Sequence, residues 1–256
     1  MNDTPTTPAQ RRRWETLFPA PKPILAMLHL GGADASERLE RARIEAAALR
    51  AGGVDAVIVE NYFGDADDVR RVLEALTVGQ SDGVLGLNVL RNTELAFALA
   101  EEFPVDFIQI DSVAGHLDPA ADDEFATRLA ELRAASNALV FGGVRFKYQP
   151  VNSGRPEAED LALGADRSDA IVVTGEGTGM QTDLEKIERF RRALPETTPL
   201  IVGAGVTDAN AAEQLRDADA AIVGSFFKDT YLDTGVVEPA HVERLMRAVA
   251  AIRAEL

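Results

Sequence analysis

Six side chains that can transfer protons or bind charged groups stand at or near the carboxyl ends of apolar runs in this sequence. Carboxylates can act as general acids or bases, whereas lysine and arginine can neutralise negative charge that develops during a reaction. The six residues are Glu60, Asn88, Arg91, Asp111, Lys147 and Glu176. The carboxyl ends of parallel strands in a barrel open at one face, so this placement predicts that the six residues share one site.

Lys147 is the most informative of these residues, because the chain contains only four lysines. A lysine beside an apolar wall can act as a base or form a Schiff base when its pKa is lowered, or it can remain a cation that pairs with a substrate oxygen. We favour the cation. Glu60 or Glu176 would then transfer a proton, and Asn88 would orient the substrate. The alternative for each residue is that it only holds a loop in place.

A metal site is a weaker hypothesis than an acid–base site. Asp111 and Glu60 together offer the oxygen ligands that a divalent cation prefers, but no spacing in the sequence fixes them as a pair. Cysteine and a His-x-His pair are absent from the sequence, which disfavours zinc. His29 stands alone at the end of the first apolar run, and we interpret it as a structural hydrogen-bonding residue. We therefore predict no metal ligands and assign no cofactor.

A second group of residues predicts a phosphate site. Residues 199–203 and 220–224 form two apolar runs that each end in glycine and a small residue. Glycine leaves backbone amides open to an anion, and the loops after strands seven and eight of a (β/α)8 barrel commonly hold phosphate. The alternative is that these glycines only make tight turns. The predicted phosphate-binding residues are Gly175, Gly203, Gly205, Gly224 and Ser225.

Eight apolar runs alternate with amphipathic segments through the chain. The predicted strands are residues 24–30, 54–59, 84–89, 107–113, 139–146, 170–173, 199–203 and 220–224. Asp34 with Glu37 and Thr182 with Glu185 resemble capping boxes, and Thr207 is placed to cap the helix between the last two strands. The pattern predicts an α/β fold of the (β/α)8 TIM-barrel type. A doubly wound open sheet is disfavoured, because no Gly-x-Gly-x-x-Gly motif occurs early in the chain.

The length of 256 residues suits one barrel, since barrels of roughly 250 residues form single domains. We expect residues 1–22 to comprise a disordered tail, residues 1–10, and a short helix, residues 11–18, that closes the bottom of the barrel. Residues 23–256 would form a single TIM-barrel domain.

Composition restricts the partners. The net charge of -16 disfavours nucleic acids and anionic membrane surfaces, which both require a basic face. No apolar run approaches the roughly 20 residues that span a bilayer, and the polar start lacks the apolar segment of a secretory signal. We expect a cytoplasmic protein with a phosphorylated small molecule as its ligand, and homo-oligomerisation stays open.

Several blocks of the sequence resemble the BtpA/SgcQ family in order and spacing. The matching blocks are residues 27–30, 53–61 with 64–65, 88–92, 169–175 with 177–179, 202–203 with 205–207, and 221–225 with Lys228. The resemblance covers the chain from residue 24 to its end and implies a TIM barrel of the phosphate-binding kind. It implies less about activity, because the family is named for a photosystem I biogenesis factor and for a protein encoded with sugar-metabolism genes.

The sequence departs from the family pattern at the predicted mouth of the barrel. Gly31-Gly32 replaces a longer proline-rich segment, Asp111 stands where the family tends to Asn, and Lys147 follows a strand end that lacks the usual His. The residues predicted to bind phosphate at the ends of the last two strands keep the family pattern. Two functions follow: an enzyme acting on a sugar phosphate or a nucleotide-derived ribose phosphate, or a non-catalytic assembly or biogenesis factor.

Overall fold

A computed structural model describes residues 8–78 and 83–256, except for the side chains of residues 8–10. Within these residues, eight parallel strands pair in sequence order and close into a barrel. Closure occurs where β1 pairs with β8. The predicted (β/α)8 TIM barrel is therefore confirmed.

The strands are continuous apolar runs whose residues are nearly all buried, as expected for parallel strands covered on both faces. They are β1 Ile24–His29, β2 Ala56–Glu60, β3 Val84–Asn88, β4 Phe107–Ala114, β5 Leu139–Val144, β6 Ala170–Val173, β7 Leu200–Val202 and β8 Ala220–Val223. The strand register places the polar residues at the ends of β1, β2 and β3 side by side, because His29 pairs with Glu60, which in turn pairs with Asn88.

Helices surround the barrel and connect successive strands. They are α1 Pro8–Leu17, α2 Ala35–Ala51, α3 Ala66–Thr77, α4 Thr93–Glu102, α5 Pro119–Ala135, α6 Glu157–Arg167, α7 Leu184–Ala193, α8 Ala211–Gln214 and α9 Pro239–Ala254. A short 3-10 turn, Ser225–Phe227, follows β8. None of the helices in the described ranges combines the length and hydropathy that a membrane crossing requires.

Two helix starts differ from the predicted caps. Asp183, not Thr182, caps α7 by accepting a hydrogen bond from the Glu185 amide, and the Thr182 hydroxyl instead donates to the Ala204 carbonyl. Before α8, the Thr207 hydroxyl accepts from the amide of Asn210, the residue that precedes this one-turn helix. Ser, Thr, Asn and Asp all favour such positions, so sequence alone does not choose between neighbours.

The α1 helix covers the amino-terminal end of the barrel. Trp14 is buried with its ring centroid 4.7 Å from that of Phe18 and 5.4 Å from that of Phe141. The helix begins at Pro8, whereas the closing helix expected from the sequence begins at Arg11. Residues 8–10 are thus helical, and the rest of the expected disordered tail, residues 1–7, lies outside the described residues.

Candidate active site

A cavity of about 360 Å³ opens at the carboxyl ends of the strands. Most of the residues predicted from sequence line it: Glu60, Arg91, Asp111, Lys147, Gly203, Gly205, Gly224 and Ser225. Asn88 reaches the cavity through hydrogen bonds to two of these residues. The structure does not bring Gly175 or Glu176 to the cavity wall, and Glu176 is exposed on the loop that follows β6.

Asn88 joins two carboxylates in the floor of the cavity. Its Nδ2 donates to Glu60 Oε1 at 2.8 Å and to Asp111 Oδ1 at 3.2 Å. Burial, together with the nearby Asp111, raises the pKa of Glu60 to about 8. Burial also raises the pKa of Asp111. Glu60 is therefore a protonated carboxylic acid at neutral pH, which suits a group that donates a proton.

His29 completes this group, although no spacing in the sequence pairs it with Glu60. Its Nε2 lies 3.4 Å from Glu60 Oε2, and its ring centroid lies 4.9 Å from that of Tyr62. Burial, with a further contribution from the charge of Lys228, lowers the pKa of His29 to about 3. His29 is therefore neutral at physiological pH, and its low pKa leaves the proton on Glu60. The only signal in the sequence was its position at a strand end.

Two cationic side chains, Lys147 and Arg91, line the same cavity. Lys147 lies inside, where its charge lowers the pKa of both Glu60 and Asp111 against the effect of burial. The Lys147 backbone amide donates to Thr174 Oγ1 at 2.8 Å, which fixes the start of the loop after β5. Arg91 is exposed at the rim on a backbone with φ of 62°. The cavity therefore has one cationic side chain near the two carboxylates and another at its rim.

The residues of the predicted anion site at the ends of β7 and β8, Gly203, Gly205, Gly224 and Ser225, line the cavity. Among the described residues, no carbonyl accepts a hydrogen bond from the amides of Gly205, Gly224 or Ser225. The Gly203 amide is different, because it donates to the Val173 carbonyl at 2.7 Å. Gly205 has φ of 72°, and a Cβ there would lie 2.3 Å from the Gln181 nitrogen. Glycine is thus required at this point of the rim.

The geometry disfavours a divalent cation between Glu60 and Asp111. The Asn88 amide group lies between the two carboxylates and donates to both, whereas a cation would need acceptors there. In the described ranges, no group of three His, Asp or Glu side chains is arranged to hold a metal ion.

Lys228 lies near the end of β8 but does not face the cavity. It is fully buried, and its Nζ donates to Glu45 Oε2 of α2 at 2.6 Å. Glu45 Oε1 also accepts from Arg41 Nε at 2.8 Å and from the Val237 amide at 3.2 Å. Lys228 and Val237 bridge each other at the base of the loop formed by residues 229–236. This ion pair therefore fixes the base of a loop whose Tyr231 lines the cavity.

Comparisons with known proteins agree with this architecture. A sequence model of the BtpA family matches residues 20–251. The photosystem I biogenesis protein BtpA of Synechocystis sp. is 28% identical, over 91% of this chain and 90% of its own. The putative sgc region protein SgcQ of Escherichia coli is also 28% identical, over 84% of this chain and 85% of its own.

A solved structure shares the fold at low identity. It is (S)-3-O-geranylgeranylglyceryl phosphate synthase from Thermoplasma acidophilum in complex with its substrate sn-glycerol-1-phosphate. The match has a TM-score of 0.60 and 12% identity, and it covers 95% of this chain and 98% of the synthase.

Proposed function

The chain belongs to the BtpA family, and on that premise we propose that it is an enzyme acting on a phosphorylated small metabolite, either a sugar phosphate or a nucleotide-derived ribose phosphate. One observation carries the proposal. One cavity is lined by the buried Glu60–His29 pair and by Gly224 and Ser225, whose amides donate to no carbonyl of the described residues. A proton donor and an anion site thus lie within the reach of one small ligand.

The phosphate group would bind at the ends of β7 and β8. The amides of Gly205, Gly224 and Ser225 would donate hydrogen bonds to its oxygens, because no protein carbonyl in the described part of the chain accepts from them. Oriented backbone amides of this kind favour anions without a cationic side chain. The synthase that shares the barrel fold binds a glycerol phosphate, which supports the proposal at the level of the fold.

Proton transfer would occur at Glu60. Asn88 holds Glu60 Oε1, while Oε2 lies beside the neutral His29. Glu60 would donate a proton to an oxygen of the substrate, and the neutral His29 beside it would leave that proton on Glu60 until the substrate takes it. Lys147 and Arg91 would neutralise charge that develops on the ligand. General acid catalysis of this type typically contributes roughly 100- to 10,000-fold in rate.

A thermal-shift panel of phosphosugars and nucleotides tests the phosphate site. Gly224 is the position to vary, because a Cβ there would lie 3.3 Å from His29 Cε1 and 3.4 Å from Met27 Cβ, contacts that small shifts relieve. Gly224→Asp should abolish stabilisation by the ligand, since it adds negative charge to the rim. Gly224→Asn is the matched control with the same shape and no charge, and it should retain part of the shift. Absence of stabilisation by every phosphorylated compound would refute the proposal.

The alternative, a non-catalytic assembly or biogenesis factor, rests on the name of the Synechocystis relative. The two functions separate in a variant that lacks the proton donor Glu60 and the neighbouring His29, namely His29→Asn with Glu60→Gln. An enzyme should lose its function in this variant. An assembly factor should retain its function and should co-purify with one partner in fixed stoichiometry.

A further inference from the structure

We infer that the phosphorylated ligand of this cavity carries a planar aromatic ring, as a nucleoside monophosphate does, and that Tyr148 is the surface on which this ring stacks. The inference rests on the proposed function, because it adds a second recognition element to the same ligand. It distinguishes a nucleotide from a plain sugar phosphate, two classes that the phosphate site alone would bind equally.

The distribution of tyrosine is the first observation. The chain has three tyrosines, and all of them, Tyr62, Tyr148 and Tyr231, line this cavity. They come from three different loops, after β2, β5 and β8. Tyrosine combines a large, flat apolar ring with a hydroxyl that forms hydrogen bonds, so it suits a ligand-binding surface that is partly exposed to water. The cavity therefore concentrates the side chains that best contact a planar heterocycle.

Tyr148 is the tyrosine whose ring is open. It is 71% exposed, whereas Tyr62 packs against His29 and Tyr231 stacks on His241 at 4.4 Å between centroids. A large exposed ring at the mouth of a cavity leaves apolar area that a ligand can cover. Of the three tyrosines, Tyr148 thus has the ring that is most open to a stacking ligand.

The Tyr148 ring is also held in place before any ligand binds. Its backbone has φ of 60°, a left-handed conformation that few residues other than glycine adopt. At the other end, its hydroxyl accepts a hydrogen bond from the Thr178 amide at 2.9 Å. The loop after β6 approaches closely there, since a Cβ at Gly177 would lie 3.0 Å from the Tyr148 hydroxyl. A ring that is already fixed loses little conformational entropy when a ligand stacks on it.

The charges nearby fit a mononucleotide better than a polynucleotide. Lys147 precedes Tyr148 in the chain, and Arg91 lines the same cavity, so two cations are available to bind one phosphate. The net charge of -16 disfavours an extended nucleic acid. The cavity of about 360 Å³ falls within the range of roughly 300–1,000 Å³ that small-molecule sites occupy.

Isothermal titration calorimetry with ribose 5-phosphate and the 5′-monophosphates of adenosine, guanosine, cytidine and uridine tests the inference. At least one nucleotide should bind at least about tenfold more tightly than ribose 5-phosphate, the range expected for stacking of one base. Tyr148→Leu should remove this difference and leave the affinity for ribose 5-phosphate unchanged. Tyr148→Phe should keep the difference, because the ring stays while the hydrogen bond with Thr178 is lost. Tyr148→Trp should also keep it and provides a second variant should the leucine variant unfold.

Three outcomes would overturn the inference. Equal affinity of wild type for ribose 5-phosphate and for all the nucleotides would refute the aromatic ring while leaving the phosphate site intact. Equal weakening of both ligand classes by Tyr148→Leu, or loss of the affinity difference in Tyr148→Phe, would assign Tyr148 a loop-holding role only. Failure of every compound to bind would refute the proposed function as well.

Discussion

His29 Nε2 lies 3.4 Å from Glu60 Oε2, and the two residues are paired in register at the ends of β1 and β2. Both are buried, and burial moves their pKa values apart, to about 3 for His29 and about 8 for Glu60. A proton at neutral pH therefore resides on the carboxyl group. Two residues distant in the sequence thus become a protonated carboxyl group and a neutral imidazole side by side, because the barrel register aligns the ends of their strands.

Stability should fall as the pH rises from about 6.5 to about 8. The pKa of Glu60 rises from its ordinary 4.5 to about 8 in the folded state. Between pH 4.5 and about 8, the folded state therefore retains a proton that the unfolded state has released. His29 acts in the opposite sense between about 3 and 6.5, and the two effects oppose each other from about 4.5 to 6.5. Urea unfolding across this range measures the effect. Glu60→Gln should lose the decline above pH 6.5, and an unchanged decline in this variant would contradict the account.

Asn88→Asp should destabilise the protein by roughly 1–3 kcal/mol or more, because it removes a buried donor shared by two carboxylates and adds a third acid. The matched control is Asn92→Asp at the exposed start of α4. Asn92 Oδ1 accepts from the Leu95 amide at 3.0 Å, and aspartate caps helices equally well. Chemical denaturation of the two variants provides the test. Equal effects at the two positions would mean that Asn88 does not mediate between Glu60 and Asp111.

Lys228→Met should destabilise the protein, but by less than the roughly 3–5 kcal/mol that is usual for leaving a buried charge without any counterpart, because Glu45 keeps its ion pair with Arg41. Glu45 would keep its contacts with Arg41 and the Val237 amide, and adding Glu45→Gln should recover part of the loss. Arg128→Met breaks an ion pair with Glu94 on the exposed surface and should change stability little. The midpoints of urea unfolding compare these variants, and a loss no larger for Lys228→Met than for Arg128→Met would disprove the anchoring role.

Trp14→Ala should destabilise the protein by about 3–5 kcal/mol, the usual cost of removing a large buried aromatic side chain. It should leave ligand affinity unchanged, because Trp14 packs with Phe18 and Phe141 at the amino-terminal end of the barrel, opposite the cavity. Circular dichroism measures unfolding, and calorimetry measures binding. Trp14 is the single tryptophan of the chain, so its fluorescence in the wild type also reports on this end alone. Loss of ligand binding in a folded Trp14→Ala protein would show that the two ends are coupled.

Much of the fold was predictable because buried parallel strands appear in the sequence as continuous apolar runs. β6 has the predicted limits of residues 170–173, and most other strands end within one or two residues of their predicted limits. The cavity lining was predictable for the same reason, since strand ends in a barrel converge. Glu60, Asp111 and Lys147 meet although nothing in their local sequences refers to one another.

Three placements depended on information that local sequence does not contain. A lone histidine has no spacing partner, so the pairing of His29 with Glu60 appears only in the barrel register. Glu176 follows its strand much as Lys147 does, but the loop turns its side chain outward. Lys228 stands after a strand end, yet the turn Ser225–Phe227 carries it back to Glu45 on α2.

The most direct measurement of the central claim is a crystal structure of the protein with ribose 5-phosphate bound. The phosphate oxygens should lie within hydrogen-bond distance of the amides of Gly205, Gly224 and Ser225, with the sugar directed toward Glu60 and His29. A phosphate held only by Arg91 and Lys147, or amides of Gly205 and Ser225 that point away from the cavity, would contradict the account.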